Sequence, residues 1–213
     1  DGSTGGLDDR FDLQLFTDEL LNGEGISYLG FSSAGFAGTE DSYIAFGNDG
    51  LIFNGAINAS YVGREQPPAV LDALHDFSDQ LPVVADYQVP AILTVDVDTV
   101  PPEVMVGATE EVDFTVENTA PVSSMLAADE LDYSFEGTGN VIGIGSGVDI
   151  ATGGGQVEFF LLDTTAVGLA ESGTLTVMSS SDQASGSPNE QDFTVDVLDH
   201  ANGSFSAAGD QNS

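Results

Sequence analysis

Over residues 10–16 the apolar side chains take every second position, Phe11, Leu13 and Leu15 against Asp12 and Gln14, which is the period of a strand with one buried face. Shorter apolar runs at Ile26–Phe31 and Ser42–Phe46, bounded by glycines and acids, predict further strands or strand-like edges, while the Gly- and Asp-rich Asp1–Asp9 predicts a loop. The period changes at Pro67–Phe77. Proline suits a first helical turn, and Val70, Leu71, Leu74 and Phe77 fall on one face of a 3.6-residue repeat, so this stretch predicts a helix. The chain then turns through Ser78-Asp79-Gln80 and is expected to enter a strand at Leu81–Tyr87.

Pro90 and Pro101-Pro102 punctuate a change of texture, with a boundary at Val89–Asp98. Ile92–Val97 alternates as a strand. Beyond it come evenly spaced runs: Val112-Phe114-Val116, Leu131-Tyr133-Phe135, Val141-Ile142-Ile144, Val157-Phe159-Leu161, Leu175-Val177 and Phe193-Val195-Val197. Gly/Ser/Asp turns separate them, a spacing that predicts an antiparallel β-sandwich. The expected fold class is α+β, with an α/β layered segment over residues 1–90 followed by an all-β sandwich over 91–200. Residues 201–213 read as a flexible tail or the start of a further module.

Charge narrows the setting. Two Arg, no Lys and 36 acidic residues give a formal charge of −34. Such a surface repels nucleic acid and anionic lipid, so direct nucleic-acid binding by this chain is not expected; it suits high ionic strength or a calcium-rich exterior. Cysteine is absent, which excludes a disulfide framework, a thiolate nucleophile and a Cys-based zinc site. No run of 18 apolar residues occurs, so no membrane-spanning helix is expected. A start at Asp1 without Met reads as a processed chain or a piece of something longer.

The polar triplet Ser78-Asp79-Gln80 sits where a helix hands over to a strand, a place where a turn can hold side-chain tips exposed. Read alone, it equally suits a plain turn before Pro82. Ser78-Asp79-Gln80-Leu81-Pro82-Val83 resembles the closing Ser-Asp-His-x-Pro-Val motif of the DNase I-like endonuclease/exonuclease/phosphatase superfamily, with Gln80 in place of the His. Asp9-Arg10-Phe11-Asp12-Leu13-Gln14-Leu15 resembles that family's Arg-Ile/Phe-Asp-x-x-Leu strand, and Tyr43–Gly50 with Phe53-Asn54 a segment found between the two in secreted bacterial members. The resemblance covers residues 8–89, about the final third of such a domain.

By that resemblance Asp79 and the position of Gln80 would end the catalytic sequence, and Asp12 would be the carboxylate supporting the family's His. The implied chemistry is phosphodiester hydrolysis with Mg²⁺ held by carboxylates, the metal polarising the phosphoryl oxygens and lowering the water pKa. The family's metal-binding Glu, its Asn and its first His belong to segments preceding Asp1. Gln80 can donate through a neutral amide and cannot carry a proton or a positive charge, so impaired catalysis is expected. His75, five residues before Gln80, reads as a helix-surface or packed imidazole, and His200 as structural or solvated.

Residues 112–120, 163–168, 172–177 and 197–205 resemble Ig-like modules of large secreted, surface-anchored bacterial and haloarchaeal proteins, which serve there as spacers or adhesion elements. This implies an extracellular or cell-surface setting, with the upstream part of the same protein or copies of the chain as partners. An extracellular structural or adhesive protein, a surface-layer or filament subunit with calcium-binding acidic faces, is the competing reading. Ca²⁺ is conceivable at Asp8-Asp9, Asp96-Asp98, Asp129-Glu130-Asp132 or Asp49 with Asn48 and Gly50, none of which has EF-hand spacing; solvated charge is the plainer reading. Asn58 and Asn202 open Asn-x-Ser sequons. Gly143–Gly147 and Gly153–Gly155 read as turns rather than phosphate loops.

Overall fold

The computed structural model describes residues 15–29, 44–52, 55–77 and 81–201. Strand is the dominant element and helix is scarce. The chain separates into two units, one of Asp1–Pro90 with Leu126–Asp129, the other of Ala91–Met125 with Glu130–Ser213.

In the first unit the expected helix is present as α1, Pro68–Phe77. Its Leu71 is fully buried, whereas Phe77, assigned to the same face by the repeat, is 95% exposed. The apolar stripe therefore stops one turn early. A two-residue ladder joins β1 (Ile44–Ala45) to β2 (Val83–Val84) antiparallel, and Tyr28 bridges Tyr87. Among the described residues, 26–29 and Leu81–Tyr87 thus yield short pairings rather than full strands; the rest of the expected Ile26–Phe31 strand lies outside the described residues. Of the alternating stretch 10–16 only Leu15 and Phe16 are described, outside any strand; Phe16, Tyr28 and Tyr87 form a ring cluster, with Phe16 and Tyr28 centroids 4.9 Å apart. A buried polar group backs it: Gln88 Nε2 donates to the carbonyls of Gly23 and Gly25, and Asp129 Oδ2 accepts the Gly25 N–H at 2.8 Å. Backbone bonds from Val89 to Ala127 and from Asp129 to Val89 fasten Leu126–Asp129 into this unit.

The second unit is built from β3 (Leu93–Val97), β4 (Glu103–Met105), β5 (Glu111–Asn118), β6 (Leu131–Gly139), β7 (Val141–Ile142), β8 (Ile144–Asp149), β9 (Gln156–Leu162), β10 (Gly168–Ser179) and β11 (Asn189–Leu198). One sheet runs β3-β5-β9-β7, the other β4-β11-β10-β6-β8. All pairings are antiparallel except β4 with β11, which is parallel. Both sheets contribute to one core of Leu93, Val112, Phe114, Val116, Leu131, Tyr133, Phe135, Phe160, Leu175, Val177, Val195 and Val197. Phe114 of one sheet meets Phe135 of the other edge-on, centroids 5.0 Å apart, the arrangement that the ring quadrupoles favour.

Two details differ from the sequence reading. In β9 the inward set is Phe160 and Leu162, while Val157 (70% exposed) and Phe159 (51%) point out. Four consecutive apolar residues, Phe159–Leu162, leave the parity of this strand undetermined by pattern alone. The second difference lies at 141–149, where the expected single strand and glycine turn become two strands in different sheets. β7 pairs with β9, β8 pairs with β6, and the chain crosses between layers at Gly143. A Cβ at Gly143 would lie 3.1 Å from that of Phe160. Gly145 and Gly147 are in strand because they sit opposite Phe135 and Tyr133, whose rings occupy the space a side chain would need.

Candidate functional site

The first unit carries the sequence-predicted site, and its described part is organised by a guanidinium. Arg64 is the single Arg or Lys among the described residues. Its Nε donates to Asp49 Oδ2 at 2.6 Å, with both side chains almost sealed from solvent. Its Nη1 donates to the carbonyls of Ile57 and Ser60, and its Nη2 to the carbonyl of Gly47. Asp49 also accepts the N–H groups of Leu51 and Glu65. A planar fork that reaches one carboxylate and several carbonyls at once closes the loop 47–65 as a lysine could not. The Arg64 hydrogen bond holds the Asp49 carboxyl below its ordinary range, against the upward push of burial. Gly47, at φ +90°, makes room for Leu74 of α1 and for Ile57, whose Cδ1 atoms would lie 2.8 and 3.0 Å from an added Cβ.

Asp72 on α1 ties the same loop to the helix. Tyr61 donates its hydroxyl to Asp72 Oδ1 at 2.6 Å and Asn58 its amide at 3.0 Å. Those two bonds, Tyr61 first, lower the Asp72 carboxyl, and Asp72 in turn raises the Tyr61 phenol. The Asn58 sequon amide is thereby engaged with a carboxylate. His75 stands beside its neighbour, Nδ1 3.0 Å from Asp76 Oδ1. His200 is exposed, its backbone N–H donating to Asp199 Oδ1.

The residues singled out for phosphodiester chemistry, Asp12, Asp79 and Gln80, lie outside the described residues, as do Asp8, Asp9 and the Asn202 sequon. Their flanks are visible: α1 ends at Phe77 and β2 begins at Val83. Of the acidic groups considered for calcium, Asp49 is committed to Arg64, Asp129 to Gly25 and Gln88, and Asp96 is exposed on β3. Among the described residues no three His, Asp or Glu side chains converge as metal ligands. No helix there is long and apolar enough to cross a membrane.

In the second unit Asp149 and Tyr133 work as ties. Asp149, 1% exposed, accepts the Asn118 N–H at 2.8 Å and the Gln156 amide at 3.2 Å. Tyr133 donates to Glu158 at 2.8 Å, and burial, with that bond second, raises its phenol well above the usual value. The Arg64 hub escaped the sequence reading. Its signal was available as one of two basic residues in a chain of acids, and the fold supplies the carbonyls that surround it.

No protein-family model matches this chain, and no curated protein sequence matches it.

Proposed function

We propose that this chain belongs to a secreted protein in which a catalytically impaired, metal-dependent phosphodiesterase-like domain is followed by an Ig-like module. The observation that carries the second half is strand order. The orders β3-β5-β9-β7 and β4-β11-β10-β6-β8, with β4 parallel to β11, support an Ig-like reading, with one departure: β7, at the outer edge of the first sheet, precedes β8 in the chain. The module offers ties and packing rather than a reactive group, which suits a spacer or adhesion element on the cell exterior.

For the first half, support comes from the motif residues and from their place in the chain, after α1 ends at Phe77 and before β2 begins at Val83. On this reading Asp12 is the carboxylate that supports the family's imidazole, Asp79 belongs to the closing catalytic pair, and the Mg²⁺ ligands come from the upstream part of the protein. Gln80 supplies a neutral donor where the resembled family uses an imidazole. On a chain of charge −34 that exchange removes stabilisation from a site that must hold a phosphate. The test is cleavage of bis-p-nitrophenyl phosphate by the polypeptide that includes the upstream segments. Wild type should stay near background with magnesium, and Gln80→His should raise turnover by roughly two orders of magnitude, the span of a positioned acid–base group. An unchanged rate in a folded Gln80→His variant would sink the reading.

The edge of β8 over Ile144–Val148, uncharged and without a partner strand among the described residues, favours the alternative of a structural or adhesive subunit, in which the first unit is scaffold only. Assembly without cleavage in the same two polypeptides is the outcome it requires.

A further inference from the structure

β8 is the last strand of its sheet, paired with β6 on one side and with nothing on the other among the described residues. Its pairing alternates in the antiparallel manner. The Gly137 N–H donates to Gly143 O, and in the same register Phe135 faces Gly145, Tyr133 faces Gly147 and Leu131 faces Asp149. These are the mutually bonded pairs, so the N–H and C=O groups of the intervening Ile144, Ser146 and Val148 point to the open edge. Soluble proteins commonly guard such an edge with charge, proline or a bulge, and Ile144-Gly145-Ser146-Gly147-Val148 has none of these. The β3 and β4 edges, by contrast, carry Asp96 and Glu103.

The segment is also close to a palindrome about Ser146. Gly145 mirrors Gly147, and the β-branched Ile144 mirrors the β-branched Val148. A two-fold axis through Ser146 therefore matches Ile144 of one chain to Val148 of the other, Ser146 to Ser146, and Val148 to Ile144, in the bonded register that the open backbone groups require. The side chains that would meet are exposed in the single chain, Ile144 by 83% and Val148 by 46%. Charge points the same way. Two chains of −34 approach most easily where carboxylates are sparse; residues 144–148 carry none, and the acids beside them, Glu136 and Asp132, stand one strand further in.

We propose that β8 pairs antiparallel with β8 of a second copy of this chain about Ser146, joining two five-stranded sheets into one continuous sheet. The inference rests on the second unit and does not depend on the phosphodiesterase-like reading. The contact is narrow, so the dimer is weak, and salt strengthens it by screening the repulsion between copies.

Because the natural chain has no cysteine, Ser146→Cys reports this register directly. Bonded antiparallel partners stand about 5.5 Å apart at Cα, within the disulfide range of about 4.4–6.8 Å. Under mild oxidation of the full chain in molar KCl, Ser146→Cys should cross-link at least roughly tenfold faster than Thr94→Cys on the β3 edge, the gain expected from local concentration. Sedimentation velocity of wild type should show dimer rising with protein concentration and with salt. Ile144→Glu/Val148→Glu, changed only at exposed positions, should stay monomeric while keeping the wild-type far-ultraviolet circular dichroism spectrum, its melt lowered slightly because the new carboxylates face Glu136 and Asp132 of β6. Equal cross-linking at 146 and 94, or a wild type monomeric at every concentration and salt, overturns the proposal and leaves the edge to a strand from another protein.

Discussion

Arg64 and Asp49 stand 2.6 Å apart with their side chains almost wholly withdrawn from water, the guanidinium also holding carbonyls of Gly47, Ile57 and Ser60. Removing one partner leaves the other charge and several carbonyls without their donors or acceptor, the costly way to break an ion pair. Arg64→Ala should loosen loop 47–65, seen as rapid proteolysis there. Arg64→Lys should restore only part of the resistance, because an ammonium cannot form the fork. A lysine variant as resistant as wild type would show that charge alone holds the loop.

Parity in β9 gives a second expectation. Phe160 is fully buried and stacks on Phe193 with centroids 5.4 Å apart, whereas its neighbour Phe159 is half exposed. Phe160→Ala should cost about 3–5 kcal/mol in a urea titration. Phe159→Ala should cost no more than about 0.5 kcal/mol, as surface changes do. Equal costs would mean that the strand is registered the other way.

At Gly145 an added Cβ would lie 2.5 Å from two ring carbons of Phe135. Gly145→Ala must displace that ring from the core and should destabilise the second unit by about 1–3 kcal/mol, the usual penalty of overpacking. A thermal melt of Gly145→Ala that overlays wild type would show the Phe135 ring to be free to move.

The pH dependence follows from Asp72, whose carboxyl is lowered from 3.8 by the hydroxyl of Tyr61 and then by the amide of Asn58. A depressed folded value means that the contribution is complete above the unfolded value, near pH 4, and is lost as pH falls through the folded one. Asp49, lowered chiefly by Arg64, has the same sign. Wild type should therefore exceed Asp72→Asn in stability at pH 6, and the gap should close below pH 4. A gap independent of pH would assign the effect to packing.

How far the sequence led depends on the kind of signal. Strands such as β5 and β6 were legible because Val112, Phe114, Val116 and Leu131, Tyr133, Phe135 alternate cleanly with polar neighbours. Helix α1 was legible in extent, since a proline start and a 3.6-residue repeat are local. The fate of Phe77 was not, because exposure depends on what the fold sets against that turn. Likewise nothing local says that 141–149 divides between two sheets: the cause is the bulk of Phe135, Tyr133 and Phe160 against small glycines, a pairing made by residues distant in sequence. The Arg64 hub needed the same long reach. The carboxylates offered for catalysis, Asp12 and Asp79, rest on motif likeness alone.

The parallel register of Glu103, Val104 and Met105 with Asp196, Val197 and Leu198 has a mechanical meaning. Tension entering ahead of Glu103 and leaving after Leu198 runs along both strands in opposite senses. It shears their hydrogen bonds together instead of unzipping them singly. A module tethered at both ends would thus yield abruptly, at a high threshold, where an antiparallel hairpin would give way bond by bond.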